Sequence, residues 1–145
     1  MSDYGISRPG HQDPEDPNAI VEGTALKRVQ VGGQDYVVLG GAWYVRVCTG
    51  EAGERFWGLA VTEPDIEGDV GVWLEGIRKA LPDLDGEGNP VPIAKDQALT
   101  TIGVNVAGTL RPWDSGTQTA DEIACYCERP VEVDEPSIRV RLGVH

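Results

Sequence analysis

The sequence predicts an all-β protein: a small antiparallel β-barrel or sandwich of about seven to nine short strands with an extended N-terminal arm. Two observations predict this fold class. Glycine, with 19 residues, and proline, with 10, interrupt the whole chain of 145 residues. Between these interruptions lie short segments rich in β-branched and aromatic residues, several of which alternate apolar and polar positions. The length suits a single domain with one core.

The first 20 residues differ in composition from the rest. They contain three prolines and several acidic residues, and few large apolar residues. A segment of this kind cannot bury enough surface to fold alone. It is either a disordered tail or an arm that becomes ordered on a partner, and the domain proper is expected at 21–145.

Strand patterns begin at Ile20. Three segments carry them in the first half of the chain: "AIVEGTALKRVQV", "QDYVVLGGAWYVRVCTG" and "RFWGLAV". The stretch "GDVGVWLEGIRKALPD", residues 68–83, is ambiguous because "LEGIRKAL" resembles a turn of helix. Gly71 and Gly76 would each weaken a helix by about 1 kcal/mol relative to alanine, and Pro82 would end it. We therefore predict an extended strand with a glycine bulge near Gly76.

The second half of the chain repeats the strand signal. The segment 98–113 is predicted to form two strand pieces that break at Ala107–Gly108. In "EIACYCERP" and "SIRVRLGV", apolar residues alternate with polar ones, and Ile138, Val140 and Leu142 share a face. One short helix is expected near 93–99.

The charge and the cysteine count restrict the function. The formal net charge of −12 disfavours binding to nucleic acid or to anionic membranes. No apolar run approaches the ~18 residues of a transmembrane helix, and no signal peptide is expected. Three cysteines, Cys48, Cys125 and Cys127, argue against a disulfide framework, so buried free thiols are expected.

The sequence offers little catalytic chemistry. Both histidines lie near the ends, His11 in the N-terminal arm and His145 at the last position, so neither is expected on a rigid strand beside a nucleophile. Glu75, next to Trp73, is the best single candidate for acid–base catalysis, but it has no evident partner. We expect a protein that is not an enzyme.

Two patterns resemble metal sites without completing them. Cys125 and Cys127 provide two thiols on one strand face, but no internal histidine is available to complete a zinc site. The loop that begins at Asp83 starts like a calcium loop, yet its twelfth position is Ala94 instead of glutamate. A solvated hairpin loop is favoured there, and no metal or cofactor is expected.

The tryptophans are expected to serve the core or an interface, although a sugar-stacking platform is an alternative. Trp43 is in phase with Val45 and Val47, which favours the core. Trp73 is out of phase with Val70, Val72 and Leu74, so we expect it to face outward towards a partner. Arg78 is expected to face outward with it, and Trp113 is a further interface candidate.

The order of several segments resembles the capsid decoration, or head cement, proteins of tailed phages. The segments are Gly58-Leu59-Ala60, then Gly68 to Gly76, then Ile102 to Leu110, then "IACYCERP", and finally Ile138 to Leu142. The resemblance covers about residues 55–142. It consists of glycines and alternation, so its specificity lies in the order of the segments. The chain departs from the family in "CYCERP", where a glycine is often found, and in a longer, more aromatic N-terminal third.

This resemblance implies a protein without enzymatic activity on the outer surface of a virion head, bound to the major capsid protein where capsid subunits meet. It further implies stabilisation against internal DNA pressure, and a homotrimer at threefold or quasi-threefold positions. It favours a capsid-binding arm over a disordered tail for residues 1–20, with Tyr4, Ile6, Arg8, Pro9 and Ile20 as its expected contacts. Deleting residues 1–18 is then expected to leave a folded domain that no longer stabilises heads.

Three alternatives stay open at the level of sequence. One is a β-barrel binding module of the phage tail or baseplate, with carbohydrate as a candidate ligand. Another is a small hydrolase that uses Glu75. The third is a bacterial β domain unrelated to phages.

Overall fold

Ten strands and one 3₁₀ turn, Ala120–Glu122, make up the regular structure of the residues described here. The structure is a computed structural model and describes residues 7–37, 40–131 and 137–143. The all-β fold class is confirmed. The strands are β1 Ser7–Gln12, β2 Ala25–Arg28, β3 Trp43–Val47, β4 Phe56–Ala60, β5 Asp69–Trp73, β6 Gly76–Ala80, β7 Ala98–Thr100, β8 Arg111–Pro112, β9 Cys125–Arg129 and β10 Ile138–Leu142.

The first five strands form a closed barrel in the order β1-β3-β2-β4-β5, and β5 pairs with β1 to close it. Four of the five pairings are antiparallel, whereas β1 and β3 run parallel, with Gly10 opposite Trp43. The apolar side chains that alternate along these strands meet inside the barrel. That core contains Ile20, Leu26, Val45, Val47, Ala60, Val70 and Val72.

The last five strands form a second sheet in the order β6-β10-β9-β7-β8. The chain just after β6 also pairs with the chain just before β8, because Pro82 and Leu110 form a parallel bridge. Leu110 N donates to Leu81 O at 2.9 Å, and Asp83 N donates to Leu110 O at 2.8 Å. These bonds join the two ends of the sheet around a second apolar core. Its buried members include Ala80, Leu99, Leu110, Cys125, Cys127, Ile138, Val140 and Leu142.

The segment 68–83 is extended, as predicted, but it is two strands and not one bulged strand. β5 belongs to the barrel and β6 to the second sheet. The chain turns between them at Leu74 and Glu75, and Gly76 has a φ of +96°, a conformation that other residues rarely adopt. The segment therefore connects the two sheets. This break is one reason why the described residues contain ten strands where seven to nine were expected for the chain.

The helix expected near 93–99 is wrong. Asp96 has a φ of +64°, which ends any helix there, and residues 98–100 form β7. Asp96 N donates to Cys127 O at 2.7 Å, so this stretch pairs with the chain of β9 instead of with itself. The second strand piece expected after Gly108 is confirmed as β8, whereas most of residues 101–110 form a loop.

The boundary of the predicted N-terminal arm at residue 20 is also wrong. Residues 7–12 form β1, which pairs with β5 from Ser7 to His11 and closes the barrel. Ile20 is only 4% exposed in the barrel core. Between them, Asp13 is buried and accepts a hydrogen bond from Arg46 Nε at 2.7 Å. The compositional signal failed because β1 is completed by the pairing groups of its neighbours and needs few apolar side chains of its own.

Candidate interface

An aromatic and cationic group lies at one end of the barrel; we call it the aromatic–arginine cluster. It consists of Arg28, Tyr36, Trp43 and Trp57. The Tyr36 and Trp43 ring centroids are 5.5 Å apart, and those of Trp43 and Trp57 are 6.4 Å apart. The Arg28 guanidinium carbon lies 4.8 Å from the Trp43 ring centroid and 5.7 Å from that of Trp57. Both distances are within the range of cation–π attraction.

The strand topology places this cluster. Arg28 is the last residue of β2, Trp43 is the first of β3, and Trp57 is the second of β4. β2 runs antiparallel to both β3 and β4, so these three positions meet at the same end of the barrel. Tyr36 lies in the connection between β2 and β3 and forms a β-bridge with Trp43.

The cluster is partly open to solvent. Arg28 is exposed, and Tyr36 is 50% exposed. Trp43 is half-buried, so its predicted place in the core is wrong, although Val45 and Val47 on the same strand are fully buried. β3 begins at the mouth of the barrel, so its first residue, Trp43, lies beyond the part of the strand whose apolar side chains fill the interior. Tryptophan, tyrosine and arginine are the residues that contribute most often to protein–protein binding energy.

A polar cavity adjoins the cluster. It has a volume of 460 Å³ and is lined by Arg28, Val29, Gln30, Asp35 and Trp43. Gln30 Nε2 donates to Asp35 Oδ1 at 3.0 Å. Hydrogen-bonding groups thus surround the aromatic surface, as in the polar rim of an interface.

The residues predicted as contacts of the N-terminal arm do not form one surface in the structure. Tyr4 and Ile6 lie outside the described residues. Arg8 and Pro9 are exposed on β1, opposite Val72 and Gly71 of β5. Ile20 is buried in the barrel core, so it is not available as a surface contact.

The prediction that Trp73 and Arg78 face outward fails for Arg78, which is 8% exposed. Its guanidinium carbon stacks 3.6 Å from the Trp73 ring centroid, and its Nε donates to Glu75 O at 3.2 Å. Trp73 itself is half-buried and packs against the core of the second sheet. The periodicity argument correctly put Trp73 on the opposite side from Val70 and Val72, but that side of the barrel faces the second sheet.

Trp113 follows β8 and is half-buried. Its indole Nε1 donates to Thr119 O at 2.8 Å. The same turn is closed by Thr119 N, which donates to Glu122 Oε1 at 2.9 Å. Trp113 therefore has a structural partner within its own loop.

Glu75 and His11, the residues considered for catalysis, lie in different parts of the structure. Glu75 is exposed, so it lacks the apolar surroundings that a general acid needs. His11 lies on β1 and not in an irregular arm. Its Nδ1 is 2.8 Å from Asp69 Oδ1, and its ring meets the edge of the Tyr44 ring at 5.8 Å. This contact joins β1 to the start of β5.

The three cysteines are buried free thiols, as predicted. Burial is the main cause of a raised pKa at all three thiols, because it disfavours the charged thiolate at Cys48, Cys125 and Cys127. They therefore stay neutral, and they pack in the core of the second sheet.

Within residues 7–37, 40–131 and 137–143, no group of three or more histidine, cysteine, aspartate or glutamate side chains is placed to hold a metal ion. Nor does this part of the chain contain a helix with the length and apolarity to cross a membrane.

Comparisons with known proteins assign no family to the chain: no family model, curated protein or solved structure matches it.

Sequence reasoning missed Arg28 and Tyr36 and did not assemble the cluster. The aromatic residues are visible in the sequence, but Tyr36, Trp43 and Trp57 are separated by 7 and 14 positions. Tyr36 meets Trp43 through the bridge in the β2–β3 connection. Arg28 and Trp57 join them because β2 lies between β3 and β4 in the barrel. Strand order is not encoded in any local pattern.

Proposed function

We propose that the protein is a capsid decoration protein of a tailed phage. It binds the outer surface of the head at junctions between major capsid protein subunits and stabilises the shell against internal DNA pressure. In this proposal it has no enzymatic activity and acts as a homotrimer at threefold or quasi-threefold positions. Three equivalent contacts then add avidity to each single contact.

The aromatic–arginine cluster is the observation that carries the proposal of a binding function. Two tryptophans and a tyrosine, which bury large areas at a low cost in side-chain entropy, are held in fixed mutual contact at one end of the barrel. Arg28 lies over two of the rings, so a partner meets a preorganised surface.

The order of the glycine-delimited segments supports the choice of partner. Gly58 to Ala60 lies on β4, Gly68 to Gly76 spans β5, and Ile138 to Leu142 is β10. Gly58 is needed because a Cβ there would lie 2.4 Å from Trp73 O on the neighbouring strand. The motif that resembles the decoration family thus describes the scaffold, and the cluster is the surface on this scaffold that fits a contact with the capsid protein.

The test is binding of the purified chain to heads that lack it, measured by co-sedimentation, with heat resistance of the heads as a second readout. We expect Arg28→Ala and Tyr36→Ala each to weaken binding by about 2 kcal/mol, or roughly thirtyfold, as truncation of a central contact does. Both residues are exposed or half-exposed, so the variants should remain folded.

Arg55→Ala is the matched control, because the Arg55 side chain is 79% exposed and its ion pair with Asp121, at 3.7 Å, joins two exposed side chains. Equal binding of all three variants and the unaltered chain would remove the cluster from the proposal. Failure of the unaltered chain to bind heads would overturn the decoration function.

A carbohydrate-binding module of the tail or baseplate is the second candidate, favoured by the aromatic rings beside a cavity with amide and carboxylate groups. Copy number separates the two. A decoration protein is present in hundreds of copies per particle, and a tail module in a few. Quantitative gel analysis of purified particles measures that ratio.

A further inference from the structure

The aromatic–arginine cluster carries hydrogen-bond donors that its own chain does not use. Its polar side-chain groups are the Arg28 guanidinium, the indole Nε1 atoms of Trp43 and Trp57, and the Tyr36 hydroxyl. Among the described residues, none of these groups makes a hydrogen bond or an ion pair. No buried side-chain nitrogen or oxygen in this part of the chain lacks a partner, so the two indole N–H groups are open to solvent.

These groups are almost all donors. A guanidinium has five N–H donors and no acceptor, an indole has one donor and no acceptor, and only the phenol hydroxyl can do both. A ligand that satisfies them must therefore supply several acceptor atoms. A carboxylate does so best, because its two oxygens match two N–H groups of a guanidinium in one plane and carry the opposite charge.

The tryptophans orient Arg28 for such a contact. Its guanidinium carbon lies 4.8 Å from the Trp43 ring centroid and 5.7 Å from that of Trp57. Contact with the rings uses the flat faces of the guanidinium and leaves the N–H groups, which lie in its plane, for an acceptor. Because the rings already restrict the Arg28 side chain, it loses less entropy when a ligand binds.

The composition of the chain makes this unpaired cation unusual. Aspartate and glutamate number 24, against 12 lysines and arginines. Four other arginines form ion pairs with carboxylates: Arg46, Arg55, Arg111 and Arg141. Asp35 lines the cavity beside Arg28, but its Oδ1 accepts a hydrogen bond from Gln30 Nε2, and the two described residues Arg28 and Asp35 form no ion pair.

We propose that the aromatic–arginine cluster binds a glutamate or aspartate side chain of the partner protein, with the carboxylate on Arg28 and an apolar neighbour against the rings. This assignment rests on the proposed function, in which the partner is the major capsid protein, and it names the chemistry that the cluster recognises. A net charge of −12 opposes a polyanion such as nucleic acid, whereas a single carboxylate needs only one cation.

The shape of the cluster favours a protein side chain over an acidic sugar. The ring planes of Tyr36 and Trp43 are inclined by 69°, and those of Trp43 and Trp57 by 60°. The rings therefore do not form a flat platform on which a sugar could stack, and Arg28 already lies over a face of each indole. Inclined rings instead leave a narrow angle, which suits the slender methylene chain of an amino-acid side chain.

Nuclear magnetic resonance of the purified chain tests the assignment without any capsid. The probe is a capped leucine–glutamate–leucine tripeptide, and the signals followed are the indole N–H groups of Trp43 and Trp57 and the Nε–H of Arg28. We expect these signals to shift, with an affinity about tenfold higher than for the same peptide with glutamine at its centre, because hydrogen bonds between charged groups are the stronger ones. Glucuronate represents the acidic sugars and should bind more weakly than the glutamate peptide.

Variants assign the preference to Arg28. Arg28→Gln should bind the glutamate and glutamine peptides equally, since the positive charge is lost, and thermal melting checks that it is folded. Arg129→Gln is the matched control: Arg129 is also exposed and has no ion pair among the described residues, but no tryptophan ring lies under it there, so the tenfold preference should remain. Asp35→Asn should bind the glutamate peptide at least as tightly as the unaltered chain does, because a like charge beside the site is removed.

Equal affinity of the unaltered chain for the two peptides, or no change in these signals at the highest soluble peptide concentration, would overturn the proposal. So would a preference for glutamate that survives in Arg28→Gln, or tighter binding of glucuronate than of the peptide. Heads take no part in this experiment. A chain that prefers the glutamate peptide but does not bind heads would refute the decoration function alone, and a chain that binds heads without this preference would refute the carboxylate site alone.

Discussion

Asp83 is fully buried, although the sequence placed it in a solvated loop. Its carboxylate accepts hydrogen bonds from the backbone N–H groups of Leu84, Asn105 and Val106, at 2.9–3.0 Å. Arg111 Nη1 lies 3.3 Å from its Oδ2. A single side chain thus fixes the 101–109 loop to the turn that follows β6. The motif that begins at Asp83 resembles the start of a calcium loop. In the structure, the Asp83 carboxylate accepts hydrogen bonds from the protein's own N–H groups.

We expect Asp83→Asn to lower the free energy of unfolding by about 2–4 kcal/mol, because the amide NH₂ would face donors that now have an acceptor. Urea denaturation measures the loss. Asp85→Asn is the control: Asp85 Oδ1 accepts from Glu87 N and Asn89 N in an exposed turn, and asparagine makes the same turn. Similar losses for both variants would show that burial of Asp83 is not decisive.

Asp13 gives the fold a dependence on pH. Its Oδ1 accepts a hydrogen bond from Glu15 N at 3.0 Å, and its Oδ2 accepts one from Arg46 Nε at 2.7 Å. The backbone bond from Glu15, followed by the bond from Arg46, holds the pKa of Asp13 below its ordinary value of 3.8. The folded state therefore favours the ionised carboxylate. This stabilisation is complete above the ordinary pKa and is lost as the pH falls through the lowered one.

We expect the free energy of unfolding to fall as the pH drops below about 4, and to fall less steeply in Asp13→Asn, which has no proton to gain at that position. Urea midpoints measured across the acid range check this. Part of the acid sensitivity remains in the variant, because the bond from Arg141 also lowers the pKa of Asp96. Identical slopes for the variant and the unaltered chain would contradict the role of Asp13.

At the scale of elements, β1 shows how pairing overrides composition. The strand "SRPGHQ" contains a proline and a glycine and no large aliphatic residue, and its first three residues are exposed. It is a strand because β5 on one side and β3 on the other supply its hydrogen-bond partners. Gly10 lets it approach β5 closely, since a Cβ there would lie 3.1 Å from Val70 O.

The expectation that residues 1–18 can be removed without unfolding is therefore replaced. We expect deletion of residues 1–12 to open the barrel, expose Val70 and Val72, and give an unfolded or aggregated chain. Deletion of residues 1–6 leaves β1 whole and should preserve the fold. Near-ultraviolet circular dichroism and size-exclusion chromatography distinguish the two, and a folded 13–145 chain would contradict the structural role of β1.

The segment 68–83 illustrates the same point at the junction of the two sheets. Its alternation correctly predicted extended structure, and Gly71 and Gly76 correctly argued against a helix. The alternation of apolar and polar residues is the same in one long strand and in two strands that enter different sheets. The turn at Leu74–Glu75 therefore could not be predicted from it. Trp73, Leu74 and Arg78 are consequently packed where the two sheets meet instead of facing a partner.

At the scale of the whole molecule, the barrel and the second sheet have separate cores that share the strands β2 and β4 as a common wall. Leu26 and Ala60 belong to the barrel core, whereas Ala25 and Leu59, their neighbours in sequence, belong to the core of the second sheet. These strands are covered on both faces, so Ala25 and Leu26 on β2, and Leu59 and Ala60 on β4, are consecutive buried apolar residues.

The sequence by itself determined what depends on neighbours along the chain: the all-β class, the inward faces of β5 and β10, and the burial of the three cysteines. Apolar alternation and glycine positions carry that information locally. Only the tertiary structure decided that β1 closes the barrel, that Asp83 is buried, and that Tyr36, Trp43 and Trp57 meet around Arg28. Each of these depends on which strands become neighbours in the sheets, and that is set by the packing of the whole chain and not by any local stretch of it.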